Sequence, residues 1–181
     1  MEKVEIDGLL FELLISSKEI SKKISILFEQ ISLKYQDEWP LCLIVLNGAA
    51  VFASELLKNA DNSVHISLVK LKSYSGMEST QTILVDYFPY DLVKNKNILV
   101  IEDIVDTGYT LNFLKKELKK HGAKKIECVT LLFKPNKCNF SIKPNYIGFN
   151  ISDEFVVGYG MDFNEKGRDL SAIYKNIIHE N

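Results

Sequence analysis

The chain has 181 residues, 46% of them hydrophobic and 25% charged, a balance that excludes a disordered polypeptide and favours one globular domain with a sizeable core. A net charge of −2 and a pI near 6.0 leave no positive excess for neutralising a nucleic-acid backbone. The longest apolar runs, such as Leu41 to Leu46, fall far short of the ~20 residues that a membrane-spanning helix needs.

The first residues, Met1 to Leu10, mix acidic with apolar side chains and lack the basic start and apolar centre of a secretory signal, so no export is expected. Ser16 with Glu19 forms a capping box, and Ile20, Ile24, Leu27 and Ile31 follow at helical spacing, which predicts an amphipathic helix. Pro40 then leads into Leu41 to Leu46, whose length and branching predict a buried parallel strand, and Asn47-Gly48 turns the chain. Ala49 to Asn59 reads as a helix, Val64 to Leu71 as a strand, Lys72 to Gln81 as a polar loop, and Thr82 to Val85 as a strand.

Asn97 to Ile101 is a further buried strand, Thr110 to His121 a helix closed by Gly122, and Lys125 to Phe133 another strand. From Pro144 onward short apolar pieces at Tyr146 to Phe149 and Phe155 to Tyr159 predict a small β-rich flap rather than another strand–helix–strand unit. The alternation predicts an α/β domain whose mostly parallel sheet carries helices on both faces, with ligands bound beyond the carboxyl ends of the strands. The three cysteines, Cys42, Cys128 and Cys138, lie at no metal-ligand spacing and read as reduced thiols of a cytoplasmic protein.

The segment Ile98 to Leu111 runs from a strand through Glu102 and Asp103 into the turn Asp106-Thr107-Gly108-Tyr109-Thr110 and then a helix. That turn combines a glycine bend, two threonine hydroxyls and unpaired backbone amides at a helix start, which suits a phosphate monoester. Adjacent carboxylates at a strand end can accept from vicinal hydroxyls or hold Mg²⁺ through water. Neither a Gly-x-Gly-x-x-Gly pattern nor a Gly-x-x-x-x-Gly-Lys-Ser/Thr loop is present.

This stretch resembles the ribose-phosphate signature of the type I phosphoribosyltransferases, which use phosphoribosyl pyrophosphate (PRPP) as donor. Leu46-Asn-Gly48, Leu71 to Gly76, Leu131 to Pro135 and Asp153 to Asp162 resemble the hypoxanthine-guanine branch and occur in its order. The resemblance implies a type I phosphoribosyltransferase fold, a mostly parallel twisted sheet flanked by helices with a small C-terminal hood. Residues 1–181 form a single domain in this reading, with its core at about 16–142 and its hood from about 144–170 together with N-terminal residues. It also implies purine salvage: transfer of the 5-phosphoribosyl group from PRPP to hypoxanthine or guanine, giving IMP or GMP and pyrophosphate.

By the same resemblance Asp106 is the catalytic acid–base near purine N7, although its side chain could instead cap the following helix. Glu102, Asp103, Asp106, Thr107, Gly108, Tyr109, Thr110, Gly48 and Arg168 bind ribose, phosphate or pyrophosphate, with Tyr109 contributing its backbone alone. Lys134, Phe155, Val156 and Asp162 meet the purine: Lys134 donates to the oxygen at C6, Phe155 stacks and Val156 offers its backbone. Mg²⁺ is the expected cofactor, with Asp162 in direct contact and Glu102 and Asp103 acting mainly through water. Ser73 and Tyr74 belong to a flexible lid, and a non-proline cis peptide is expected between Leu46 and Asn47.

One position departs from the family pattern. Asn47 stands where a lysine or arginine is common, which predicts a weaker hold on PRPP. The partners implied are PRPP and a 6-oxopurine base, with no nucleic acid and no membrane, in a homodimer or homotetramer. Two rival readings are a nucleotide-sensing, RNA-binding regulator built on the same fold and a receiver-type domain using Glu102 and Asp103. The second leaves the Asp-Thr-Gly-Tyr-Thr turn without a purpose.

Overall fold

A computed structural model describes residues 2–36, 38–60, 64–75, 81–139 and 142–177. The main sheet has six strands in the order β5 (Gln81–Tyr87), β4 (Ile66–Ser75), β3 (Leu41–Leu46), β6 (Asn97–Val105), β7 (Lys125–Phe133) and β8 (Tyr146–Asn150). All neighbours run parallel except β4 and β5, which form an antiparallel pair at one edge. Strands buried on both faces need apolar residues at every position, and β3 reads Leu-Cys-Leu-Ile-Val-Leu with its first five residues buried.

Alternation along these strands sends side chains to two cores. Cys42, Ile44, Leu99 and Ile101 join helices α1 (Ser17–Lys34) and α2 (Ala49–Leu57) on one face. On the other, Leu41, Leu43, Val45, Ile98 and Val100 meet α4 (Tyr109–Lys120) and the short α3 (Tyr90–Val93). The predicted face of α1 is the buried one, with Ile20, Ile24, Leu27 and Ile31 inside. Its capping box is formed: Ser16 N donates to Glu19 Oε2 at 3.0 Å, and Glu19 N donates to Ser16 Oγ at 3.4 Å.

A second sheet caps the carboxyl end of the first. It is antiparallel, ordered β1 (Lys3–Ile6), β2 (Leu9–Ile15), β10 (Ile173–Asn176) and β9 (Val156–Val157), with its own small core around Phe11, Val157 and Tyr174. The hood is thus woven from both ends of the chain.

Two local expectations are corrected and one alternative is excluded. Tyr146 to Phe149 is not part of the flap: β8 extends the main sheet, Val129 to Phe133 of β7 holding it in parallel register. The polar stretch from Lys72 is not wholly a loop, because β4 continues to Ser75 and pairs with β5, Ser73 opposite Ile83 and Tyr74 opposite Thr82. The side chains of Ser73 and Tyr74, and all of residues 76–80, lie outside the described residues. Finally, α4 is capped by Gly108 with φ 82° and no side-chain hydrogen bond, so Asp106 is not its cap.

Candidate active site

The turns that leave β3 and β6 at their carboxyl ends open onto one cleft of about 590 Å³. Gly48, Glu102, Asp103, Asp106, Thr107, Gly108, Tyr109, Thr110, Asp162 and Arg168 all line it, so the predicted ribose and phosphate residues converge. Asn47 and Lys137 line it too, as does Leu71 in β4, just before the stretch expected as a lid. The peptide bond between Leu46 and Asn47 is cis.

Gly108 enters the left-handed region, which costs a glycine little, and bends the chain so that α4 starts directly over the cleft. Its position leaves the first amides of the helix without intrahelical acceptors, facing a lining that also carries the Thr107 and Thr110 hydroxyls.

Glu102 is buried, and desolvation, reinforced by the neighbouring Asp103 charge, pushes its carboxyl well above the usual range. Burial also raises Asp103, to about 6, against backbone hydrogen bonds and the Arg168 charge that pull it down. Ile104 N donates to Asp103 Oδ1 at 2.9 Å and fixes that carboxylate. Gly48 sits against it so closely that a β-carbon there would come within 1.8 Å of Asp103 Oδ2.

Arg168 and Asp162 form the opposite wall. The Arg168 guanidinium reaches Asp162 Oδ1 at 2.8 Å and donates to Gly160 O at 2.8 Å, while Asp162 Oδ2 accepts from Glu165 N at 2.9 Å. Four carboxyls (Glu102, Asp103, Asp106 and Asp162) thus face two cations (Lys137 and Arg168) across the cleft. Such a lining holds a polyphosphate well only if a cation accompanies it.

Among the described residues no three His, Cys, Asp or Glu side chains converge as a metal cage. Successive strand residues point to opposite faces, which disfavours direct coordination of one ion by Glu102 and Asp103 together and suits contact through water. A hard divalent ion that takes one or two carboxylates and completes its shell with phosphate oxygens and water still fits. Each Asp162 oxygen uses one lone pair on its protein partner and retains another.

Lys134 lies just beyond this lining, at the end of β7. It is almost wholly buried, and its Nζ donates to Asp106 Oδ2 at 2.9 Å. Asn150 of β8 is in register with Phe133, so the chain leading to Lys134 and the chain leading to Phe155 leave the sheet side by side. Phe155 keeps 49% of its surface exposed, and its ring neighbours those of Phe11, at 6.3 Å, and Phe163, at 5.9 Å between centroids. Val156, in β9, is buried.

Residues 14–164 match the phosphoribosyl transferase domain family. The chain belongs to that family. It is 38% identical to hypoxanthine-guanine phosphoribosyltransferase of Bacillus subtilis over 164 residues, covering 90% of this chain and 91% of that one. The enzyme of the same name from Lactococcus lactis is 37% identical over 174 residues, covering 96% and 94%. A crystal structure of hypoxanthine phosphoribosyltransferase from Staphylococcus aureus superposes with a TM-score of 0.86 at 35% identity, covering 94% of each chain. The architecture is therefore the type I phosphoribosyltransferase fold expected from the sequence.

Reading the sequence missed one cleft residue with a charge, Lys137. The only local hint is that Lys134-Pro-Asn-Lys137 is a turn, Lys137 N donating to Lys134 O at 3.2 Å, which brings Lys137 near Lys134 but does not name Asp106 as its partner.

Proposed function

We propose that this protein transfers the 5-phosphoribosyl group of PRPP to hypoxanthine or guanine, releasing pyrophosphate and IMP or GMP, in purine salvage. The single observation that carries the reading is the buried Lys134 ammonium against Asp106 at the mouth of the phosphate turn. It supports the reading because a donor and a proton acceptor side by side there suit one purine edge.

Lys134 donates to the oxygen at purine C6. A 6-amino base would set donor against donor and leave a buried ammonium unpaired, so adenine is rejected. Asp106 takes or returns the N7 proton as N9 attacks the anomeric carbon, and Phe155 stacks on the ring with Val156 offering its backbone to the base edge. The amides and hydroxyls from Thr107 to Thr110 hold the 5′-phosphate, with Tyr109 acting through its backbone.

Glu102 and Asp103 engage the ribose hydroxyls. Burial shifts the Glu102 carboxyl toward its protonated form, and a carboxyl can accept from a vicinal diol when ionised and donate to it when protonated. Cationic character develops on the ribose as the pyrophosphate leaves, and Gly48 and Arg168 hold that group by backbone amide and guanidinium. Asp162 directly, and Glu102 and Asp103 by way of water, would hold Mg²⁺, which would supply neutralisation of the leaving pyrophosphate.

Ser73 and Tyr74 belong in this account to the lid that excludes water from the ribose cation. The whole chain acts as one domain, in a cytoplasmic homodimer or homotetramer. Among the described residues no helix is long and apolar enough to cross a membrane.

The test is direct. The protein is incubated with Mg²⁺, PRPP and hypoxanthine, guanine, xanthine or adenine in turn, and nucleotide and pyrophosphate are followed together. Formation of IMP or GMP with equimolar pyrophosphate, and none of AMP, is expected, and Asp106→Asn keeps PRPP binding while losing most of the rate. RNA captured on a filter without any nucleotide formed would favour the regulatory reading instead.

A further inference from the structure

The segment after β7 is fastened to the phosphate turn on both sides of Asp106. Lys134 N donates to Val105 O at 3.0 Å, and Asn139 N donates to Thr107 O at 3.1 Å. Between these two ties, two ammonium groups face one carboxylate. Lys134 Nζ lies 2.9 Å from Asp106 Oδ2, while Lys137 Nζ lies 3.1 Å from Oδ1 and 3.2 Å from Oδ2, the Oδ1 approach being a charge contact without hydrogen-bond geometry. Their settings differ: the Lys134 side chain is 4% exposed and that of Lys137 41%.

This pairing conflicts with the work assigned to its members. While Lys134 and Asp106 satisfy one another, neither addresses a base. For Lys134 to meet the C6 oxygen and Asp106 the N7 edge, their contact has to loosen. A partly buried carboxylate that loses its cation at that moment pays in both charge and orientation.

We propose that Lys137 is a positioning residue for the transfer reaction, the counter-ion that stays on Asp106 while Lys134 is handed over to the purine oxygen. The inference rests on the proposed phosphoribosyl transfer and deepens it. With Lys137 in place, Asp106 keeps its ionic partner and its direction throughout, and the place that Lys134 held on Oδ2 becomes free for the base. The excess cation of the resting trio is what makes the exchange possible, since one ammonium can depart and leave a neutral pair. The ties to Val105 and Thr107 make it precise in space, because Lys137 and Asp106 are carried by segments that cannot slide apart.

Lys137 also lines the phosphate cleft, so a plain role as a ligand of the 5′-phosphate is the competing outcome. The two separate in steady-state kinetics of the whole protein with Mg²⁺, PRPP and hypoxanthine. Lys137→Met is expected to lower kcat about tenfold, the loss of one charge-assisted contact, with KM for PRPP changed by less than about twofold. Lys137→Arg, which keeps the cation, restores most of the rate. Lys137→Gln repeats the measurement should the methionine variant not fold. A raised KM for PRPP at unchanged kcat would overturn the proposal and make Lys137 a phosphate ligand, and unchanged kinetics in both neutral variants would overturn it as well. Wild-type protein that forms no nucleotide at all would remove phosphoribosyl transfer itself, an outcome distinct from either.

Discussion

Gly48→Ala isolates one contact of the cleft. Gly48 has φ −60° and ψ −42°, so alanine fits its backbone without strain. The obstacle is steric: the new β-carbon would stand 1.8 Å from Asp103 Oδ2 and 2.7 Å from its Cγ, where ordinary contact begins at 3.4 Å. The difference, 3.4 − 1.8 = 1.6 Å, has to be taken up by movement. On its other side Gly48 packs closely on Gly160, where a β-carbon would meet the Gly48 carbonyl oxygen at 2.1 Å, so the softer response is movement of the Asp103 side chain. Asp103 therefore swings away, breaking its 2.9 Å bond from Ile104 N.

A shift of 1 Å in a reacting arrangement can cost about 10²-fold, so kcat/KM for PRPP is expected to fall by about that factor. Global stability should fall only by about 1–3 kcal/mol, because the clash meets a side-chain end. The assay is a double-mutant cycle of Gly48→Ala and Asp103→Ala, followed through pyrophosphate release. In the Asp103→Ala background the glycine substitution should do little more, since the group it displaces is gone. Fully additive losses would refute the reasoning.

Two further predictions follow from other contacts. Glu127 accepts from Lys34 Nζ at 2.7 Å, Tyr35 OH at 2.6 Å and Tyr146 OH at 3.2 Å, with Lys125 Nζ at 3.0 Å. Burial alone would raise its carboxyl, but these partners overcome it and hold it at about 2. A carboxyl lowered to about 2 from 4.5 contributes roughly 3 kcal/mol of stability, complete above pH 4.5 and lost as pH falls toward 2. Glu127→Gln should lower the melting temperature by about 6–12 °C at pH 7, and that gap should close in acid; a gap constant from pH 7 to pH 2.5 contradicts the account. At the pyrophosphate end, Asn47→Lys supplies a cation at an exposed position on the cleft and should lower KM for PRPP about two- to fivefold, the worth of a solvent-facing ion pair. An unchanged KM would show that the asparagine is no handicap.

What could be read from the sequence follows from how local its cause is. Helix α1 carries its own start signal in Ser16 and Glu19 and its own buried stripe, and the apolar runs Leu41 to Leu46 of β3 and Ile98 to Ile101 of β6 suit a doubly covered sheet, as does β7 with its largely buried residues. Strands β1 and β2 went unread because what completes them is remote: β10, some 160 positions later, pairs with Phe11 to Ile15. Likewise Tyr146 to Phe149 has a strand's composition, but only its contact with β7 decides which sheet receives it. In the cleft, the phosphate turn is one contiguous segment and so is legible. The grip of Lys137 on Asp106 and of Gly48 on Asp103 arises where separate loops meet, and no local pattern encodes it.

The central claim is that the turn from Asp106 to Thr110 receives a sugar phosphate while Lys134 and Asp106 address a purine. A crystal structure of the protein with IMP tests it most directly. The account predicts the phosphate within hydrogen-bond distance of the Thr107 to Thr110 amides, the ribose hydroxyls at Glu102 and Asp103, and Lys134 Nζ moved from Asp106 to the C6 oxygen. IMP bound elsewhere, or bound there with the Lys134–Asp106 contact intact and the base edge unmet, would contradict it.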